Sequence, residues 1–265
     1  MIRSTIFNVA FYSFSFFIAM ICWVVAKLRL PRAAMWAVLR VWGLGVIWLV
    51  MMILWSRIEV RGRQHLNRTR PQVIVSKHQS ELDIVMLGAL MWDVSAIAME
   101  ELTKLPFFGP LLRHLDIVLI KVDEGRQGRT QQAIDGAKRM REAGRSMVIY
   151  PEGELMKLGA KERYRNGAGH IYTAMEVEAV PVAVSLGVIW PRREWRKDWG
   201  KVGVIEYLEP IPPGLDHDTF MAEVEKRIET RTMELIEETA SGQVLEDARD
   251  RHARGANNER DQIAA

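Results

Sequence analysis

The hydrophobic pattern of the chain changes near residue 57, and the part before it is the most apolar. Residues 4–26 contain no charged side chain, and a run of that length is enough for a helix to cross a bilayer. The second run, residues 33–56, is interrupted by Arg40 and is marginal for a full span. A cleaved signal peptide is the alternative, but the first run exceeds the ~7 to 15 apolar residues of such a segment, and no small-residue cleavage site precedes the second run. Residues 1–56 are therefore predicted to form a membrane-embedded helical hairpin.

Positive charges help to decide between a hairpin that crosses the membrane twice and one that dips into a single leaflet. In both arrangements the chain leaves the membrane on the side where it enters, so Arg3 and Arg57 lie on one side. Positive residues favour the cytoplasmic side. In a crossing hairpin Lys27, Arg29 and Arg32 would face the opposite side, which that rule disfavours. The charge pattern therefore favours a hairpin in the cytoplasmic leaflet.

After the hairpin, short β-rich runs alternate with helical periodicity, which is typical of an α/β fold. We predict a mixed sheet covered by helices. The clearest helical pattern runs from Gln131 to Ala143, with Thr130 as its cap, and a further helix is predicted from about Thr219 to Glu238. The predicted strands are Gln72–Ser76, Ile117–Ile120, Ser146–Tyr150, Val180–Ser185 and Lys201–Tyr207.

The end of the chain differs from this pattern. Residues 241–265 are charged and nearly free of large apolar side chains, so they are predicted to form a mobile tail. The sequence thus divides into a membrane-embedded hairpin over residues 1–56, an α/β domain over residues 57–240 and the charged tail.

The composition narrows the class of protein. An apolar fraction of 49% in 265 residues is sufficient for a buried core. The net charge is only +3, so attraction to anionic partners must come from local clusters, and a nucleic-acid partner is not implied. The single cysteine, Cys22, excludes an internal disulfide framework and a cysteine-based zinc site. This usage indicates a reducing compartment.

Residues 76–83 read SKHQSELD and have two interpretations. In the first, Ser80 and Asp83 form a capping-box-like start of a helix, and His78 is a loop residue. In the second, His78 lies in the turn after a strand, and Asp83 holds one ring nitrogen while the other deprotonates a hydroxyl. The nucleophile would then be a substrate alcohol that attacks a thioester. This segment alone leaves both interpretations open.

The order of the later segments favours the second interpretation. KHQSELD is followed by KLPFFGPLLRHLDIVLIKVD, SMVIYPEGEL, YRNGAGH and VEAVPVAVS, with an apolar hairpin ahead of them all. Together these segments resemble the glycerolipid acyltransferase family, and most of all the bacterial lysophosphatidic acid acyltransferases. The resemblance implies an enzyme on the cytoplasmic side of the bacterial inner membrane that makes phosphatidic acid. It also implies a lysophospholipid acceptor, acyl-CoA or acyl carrier protein as donor, and no cofactor or metal.

The resemblance implies a role for each matching residue. His78 would be the general base and Asp83 its orienting partner. Pro151, Glu152 and Gly153 stand where the family has the wall of its acceptor site. A glycine after a strand lets the backbone approach a phosphate or glycerol oxygen, which N–H groups can then bind.

Two departures from the family pattern concern the acceptor phosphate. Many relatives end the second segment with aspartate and arginine, where this chain has Lys121 and Val122, and PEG is followed here by Glu154 and not by threonine. Lys121 could replace the arginine only after a local shift, because adjacent residues of a strand point to opposite faces. Arg165 is a further candidate cation for the phosphate. These departures leave two alternatives: an acyltransferase for another lyso-lipid, such as a lyso-ornithine lipid or lysophosphatidylglycerol, and a catalytically silent membrane-binding homologue.

Overall fold

The structure, a computed structural model, describes residues 1–106 and 108–264, and the side chains up to residue 255. Two long helices come first, and a sheet of seven strands with further helices follows. The strands are β1 (Arg57–Arg61), β2 (Val73–Ser76), β3 (Ser95–Met99), β4 (Val118–Ile120), β5 (Met147–Ile149), β6 (Ala179–Val184) and β7 (Val202–Tyr207). The helices are α1 (Ile2–Lys27), α2 (Arg32–Leu54), α3 (Leu82–Leu90), α4 (Phe108–His114), α5 (Gly125–Glu142), α6 (Gly167–Met175), α7 (His217–Thr239) and α8 (Gln243–Ala264).

The sheet is mixed, as the sequence predicts. Its strand order is β1-β7-β6-β2-β5-β3-β4. Strands β6, β2, β5, β3 and β4 are parallel, while β7 runs antiparallel to β6 and β1 pairs with β7 in parallel. Because β2 lies inside the parallel part, the loop that leaves it is flanked by the loops that leave β5 and β6. Segments distant in sequence therefore meet at one edge of the sheet.

Helices cover both faces of the sheet, so the side chains of its central strands alternate between two cores. Ile74 belongs to one hydrophobic cluster, which includes residues of α1, α2 and α3. Val73 and Val75 belong to the other, formed with α5, α6 and α7. This alternation follows from the two-residue period of a strand. Consecutive residues at the end of β2 are thus directed to opposite sides of the sheet.

The helical hairpin packs along the domain. A Cβ atom placed on Gly43 of α2 would lie 2.6 Å from the Ala89 amide nitrogen of α3, so the two backbones are in close contact. At the tip of the hairpin Arg32 donates two hydrogen bonds to Asp93, at 2.7 and 2.8 Å. At its base the Ser4 hydroxyl contacts the backbone of Lys197. Residues 1–56 therefore share a core with the α/β domain.

Both hairpin helices are long and apolar enough to cross a membrane, with a mean hydropathy of 2.2 in the best 18-residue window of each. The sides that face away from the domain expose large apolar side chains, which associate with lipid more favourably than with water. These two helices indicate that the protein associates with a membrane. The exposed residues include Val9, Tyr12, Phe16, Phe17, Val41, Leu44, Trp48 and Met52.

Substitution of Gly43 by leucine is expected to separate α2 from α3. The added side chain meets backbone atoms of Val85 and Ala89, which cannot rotate away. We expect a loss of about 2 to 3 kcal/mol, seen as a fall in Tm of about 5 to 10 °C in detergent. Gly45→Leu is the matched control, because the nearest atoms to a Cβ there all belong to the Phe14 ring, which can turn. An equal loss in both variants would contradict this explanation.

The five predicted strands are present, and two further strands, β1 and β3, extend the sheet. The predicted helix at Gln131–Ala143 begins earlier, at Gly125, so Thr130 lies inside it, where its hydroxyl donates to the Arg126 carbonyl. The early turns of α5 are largely exposed. For that reason they carry no apolar periodicity from which the true start can be predicted.

The tail predicted to be mobile, residues 241–265, contains a helix that packs on the domain over the part whose side chains the structure describes, up to residue 255. Residues from Gln243 onward form α8, with Ala248 fully buried. A Cβ on Gly159 would lie 2.3 Å from the Ala248 carbonyl oxygen, and Arg251 donates to the Leu158 carbonyl at 2.8 Å. Close contact between small residues and hydrogen bonds from arginine hold this helix in place. A large apolar face, the usual sequence sign of a docked helix, is therefore not needed.

Candidate active site

His78 and Asp83 meet in the turn that connects β2 to α3. The Nδ1 atom of His78 lies 2.9 Å from Oδ2 of Asp83, and the side chains retain only 11% and 2% of their exposure. The turn allows a carboxylate in the first turn of α3 to reach back to the ring. Since Nδ1 is directed at the carboxylate, it is the protonated nitrogen of the neutral imidazole, and Nε2 is left to accept a proton.

The Asp83 carboxylate also organises the backbone of the turn. Its Oδ2 atom accepts hydrogen bonds from the amide N–H groups of Gln79 and Ser80, at 2.7 and 3.0 Å. The Ser80 hydroxyl accepts from the Leu82 amide at 3.2 Å. The N-terminal end of α3 further favours a negative charge at this position. The geometry thus combines the two interpretations of SKHQSELD, because the residues that start the helix also hold His78.

The loop after β5 covers the imidazole. The Tyr150 ring stacks on the His78 ring, with 4.0 Å between centroids and an angle of 22°. Farther along the same loop, the Met156 amide donates to the His78 carbonyl at 2.6 Å. Burial, followed by the nearby Asp83 charge, raises the pKa of Tyr150 well above its usual value, so its hydroxyl stays neutral. His78 is therefore fixed by contacts to its ring and to its backbone.

The side chain of Arg165 lies against Gly153 of the PEG turn, which comprises residues 151–153. Gly153 has φ +72°, a conformation that disfavours side chains, and a Cβ there would lie 2.6 to 2.7 Å from the Arg165 guanidinium. The Arg165 amide also donates to the Pro151 carbonyl at 2.9 Å. The Gly153 amide, which we expected to bind an acceptor oxygen, instead donates to the Tyr150 carbonyl at 3.0 Å. The polar group available at this turn is therefore the Arg165 guanidinium and not the Gly153 N–H group.

Glu152 is directed into the protein. Its side chain has no solvent exposure, and Oε1 lies 3.2 Å from Nζ of Lys77. Burial raises the pKa of Glu152 to about 7, while Lys77 opposes this shift and Glu229 adds to it. Because the Glu152 side chain is fully buried, it is not available for the direct substrate contact predicted for it. Its position next to Lys77 was not foreseen from the sequence.

The raised pKa of Glu152 predicts a pH dependence of stability. The folded chain holds this proton between pH 4.5, the usual pKa of a glutamate, and about 7, whereas the unfolded chain has already released it. The stabilisation is complete below pH 4.5 and is lost as the pH rises through 7. We expect the Tm of the wild type to fall relative to that of Glu152→Gln between pH 5 and 8. Parallel Tm profiles would contradict the raised pKa.

The structure does not bring Lys121 to His78. Lys121 follows β4, which is three strand positions from β2, or about 14 Å. Its side chain is half exposed and lies 3.5 Å from the Glu124 carboxylate. A different cation, Arg192, contacts Glu154 at 3.0 Å beside the PEG turn. Sequence patterns did not identify Arg192, because it lies in a loop outside every motif.

Known proteins resemble this chain in sequence and in fold. Residues 57–185 match the family model described as Acyltransferase. The chain is 27% identical over 204 residues to the 1-acyl-sn-glycerol-3-phosphate acyltransferase of Pseudomonas aeruginosa, covering 77% of this chain and 79% of that protein. It is 28% identical over 227 residues to the human 1-acyl-sn-glycerol-3-phosphate acyltransferase alpha, and the match covers 82% of this chain and 76% of that protein. The fold matches the crystal structure of the 1-acyl-sn-glycerophosphate acyltransferase of Thermotoga maritima, with a TM-score of 0.72 and 21% sequence identity. The match covers 88% of this chain and 96% of that one.

The matched region contains β1 to β6, the His78 turn and the PEG turn. The fold and these matches define an O-acyltransferase. The match to the acyltransferase family covers just under half of the chain, and the names of the relatives place the protein in phospholipid biosynthesis. The resemblance predicted from the sequence motifs is confirmed.

Proposed function

We propose that this protein transfers a fatty acyl group from an acyl thioester to the free hydroxyl of 1-acylglycerol 3-phosphate, which gives phosphatidic acid. The names of its relatives support this acceptor. The observation that carries the chemistry is the contact of 2.9 Å between Nδ1 of His78 and Oδ2 of Asp83, within the region that matches the acyltransferase family model. This contact leaves Nε2 of His78 as the base.

In the proposed reaction, Nε2 of His78 removes the proton of the acceptor hydroxyl as its oxygen attacks the thioester carbonyl. Asp83 stabilises the imidazolium that forms. The tetrahedral intermediate then collapses, the C–S bond breaks, and the imidazolium gives its proton to the thiolate. The products are the new ester and the free thiol, so the enzyme ends in its original state. Acyl-CoA and acyl-ACP both supply the required thioester.

Arg165 is the proposed contact for the acceptor phosphate. Its guanidinium lies against Gly153 in the PEG turn, beside the loop that covers His78. A guanidinium binds a phosphate through two parallel hydrogen bonds. Lys121, the other candidate, lies three strands away and beside Glu124. Glu154 partly offsets the positive charge at this turn, which keeps another lyso-lipid as the second candidate acceptor.

We place the protein at the bacterial inner membrane, with the hairpin in the cytoplasmic leaflet and the catalytic domain in the cytoplasm. Asp93, which holds Arg32 at the hairpin tip, also contacts the buried Arg145 at 3.1 Å. A hairpin crossing the bilayer would draw this ion-pair cluster of the domain into or through the hydrocarbon, at a high energetic cost. A hairpin that lies flat in the cytoplasmic leaflet keeps this cluster at the aqueous surface of the membrane and out of the hydrocarbon.

The position of the tip is testable in cells. In a Cys22→Ser background, the variant Arg29→Cys places a single thiol at the tip. We expect a membrane-impermeant maleimide to label it in inverted membrane vesicles and not in intact spheroplasts. Labelling from the outside would show that the hairpin crosses the bilayer.

An acceptor panel tests the reaction itself. Purified protein in lipid vesicles is given a labelled acyl thioester with 1-acylglycerol 3-phosphate, lysophosphatidylglycerol or a lyso-ornithine lipid. We expect transfer to the first to exceed transfer to the others at least tenfold. Transfer only to another lyso-lipid would replace the proposed acceptor. Absence of any transfer would favour the silent homologue, and free fatty acid without an acceptor would indicate a hydrolase.

A further inference from the structure

Lys77 directly precedes His78 and points to the other side of the sheet. The His78 ring stacks on Tyr150, which packs against the cluster next to the hairpin. The Lys77 side chain is fully buried on the side of α7, near the Tyr164 ring. This opposition continues the alternation seen along β2. Lysine is rarely buried completely unless it is paired, so its surroundings require an explanation.

The Lys77 ammonium connects three separate parts of the chain. Its Nζ atom lies 2.5 Å from Oε1 of Glu229 in α7 and 3.2 Å from Oε1 of Glu152 in the PEG turn. It also donates to the Ala160 carbonyl at 3.0 Å. Glu229 accepts a second hydrogen bond, at 2.8 Å, from the Tyr164 hydroxyl. One buried cation thus joins the residue before His78 to α7 and to two separate points, Glu152 and Ala160, of the loop that follows β5.

These contacts are electrostatically demanding. Burial alone would lower the pKa of Lys77, but the Glu229 and Glu152 carboxylates outweigh it and hold that pKa above its usual value. The lysine therefore remains charged. Removing one partner of a buried ion pair is costly, because the remaining charge is left without compensation. Lys77 is the positive partner of the buried Glu152 and therefore holds it in this position.

We propose that Lys77 is a positioning residue for acyl transfer, which holds the PEG turn and the following loop in register with His78. The proposal rests on the proposed function of His78 as the base. The acceptor hydroxyl must lie between His78 and the PEG turn, and an error of about 1 Å there reduces the rate of a positioned reaction strongly, on the order of 10²-fold. On this proposal the donor thioester binds apart from the PEG turn that Glu152 belongs to. Loss of Lys77 should therefore impair use of the acceptor more than binding of the donor.

The test compares Lys77→Met with Glu229→Gln. In Lys77→Met we expect kcat/KM for the lyso-lipid acceptor to fall at least 30-fold, with the KM for the acyl thioester within about twofold of the wild type. Glu229→Gln is the matched control, because its amide oxygen still accepts from Lys77 and Tyr164 while the contact between Lys77 and Glu152 persists. We expect it to lose stability, because one carboxylate partner of the buried Lys77 is gone, but to keep acceptor kcat/KM within about threefold. An equal loss in both variants would overturn the proposal.

The double variant Lys77→Met with Glu229→Gln separates positioning from stability. It removes one positive and one negative charge together, so we expect Tm to recover toward the wild-type value while acceptor kcat/KM stays low. Recovery of both quantities would show that Lys77 acts only through stability and would overturn the proposal. All variants are assayed on the lyso-lipid that the wild type uses best. A wrong acceptor assignment is visible in the wild type alone and does not affect the comparison.

Discussion

Replacement of His78 by alanine is expected to lower kcat by about 10²- to 10⁴-fold, the range that general acid–base catalysis contributes. The proposed nucleophile is the acceptor hydroxyl, which is a weak nucleophile until its proton is removed. The Nε2 atom of His78 is the proposed base for that proton, since Nδ1 is held by Asp83 at 2.9 Å. The measurement is transfer of a labelled acyl group from a thioester to the best lyso-lipid acceptor, in vesicles, under saturating conditions.

A matched set of measurements gives this result its meaning. The His78→Ala protein should still bind vesicles, because its hairpin is unchanged, and its KM for the thioester should stay within a few-fold of the wild type. Membrane binding with no turnover would separate the catalytic role of His78 from any role in folding. If the variant keeps more than a tenth of the wild-type kcat, His78 is not the base.

The second large effect is expected for Asp83→Asn, with kcat reduced by about 10²- to 10⁴-fold, by analogy with the loss of the aspartate in histidine-based hydrolases. Asparagine retains an oxygen that can accept from the Gln79 and Ser80 amides, which Asp83 now binds at 2.7 and 3.0 Å. It has no negative charge to stabilise an imidazolium. The turn should therefore survive while proton transfer fails.

Asp83→Ala provides the contrast, because it removes the acceptor for those amides as well. Leaving buried N–H groups unpaired costs about 1 to 3 kcal/mol, so this variant should lose stability in addition to activity. Thermal unfolding and acyl transfer are measured on both variants. If Asp83→Asn behaves like the wild type while Asp83→Ala is unstable, the carboxylate serves only the helix start.

The fold was predictable where apolar residues form a continuous run, as in the fully buried strand of residues 179–184. Strand β1 (RIEVR) was missed because charged side chains occupy most of its positions at the edge of the sheet. Strand β3 (SAIAM) was missed because small residues occupy three of its five positions. Strand formation in both depends on neighbouring strands, which a local pattern does not reveal.

In the candidate site, too, contacts between residues close in sequence were predictable and contacts between distant residues were not. His78 and Asp83 lie five residues apart, so a turn can bring them together, and the sequence motif predicted their contact. Lys77 is paired with Glu229, which lies 152 residues later in the sequence, and no local sequence pattern connects the two. A lysine in a loop is normally hydrated, so its burial follows only from the packing of α7 on the sheet.

The long separation between Lys77 and Glu229 also sets the order in which the contacts of the site can form during synthesis of the protein. The hairpin leaves the ribosome first and the His78 turn next, while Glu229 follows Lys77 by 152 residues. At about 5 to 20 residues per second this separation takes roughly 8 to 30 s. During that time the growing chain already carries both apolar helices of the hairpin, but Lys77 lacks its carboxylate partner on α7. With the proposed membrane location, we expect a nascent chain to reach the lipid surface before the His78 turn has all its contacts.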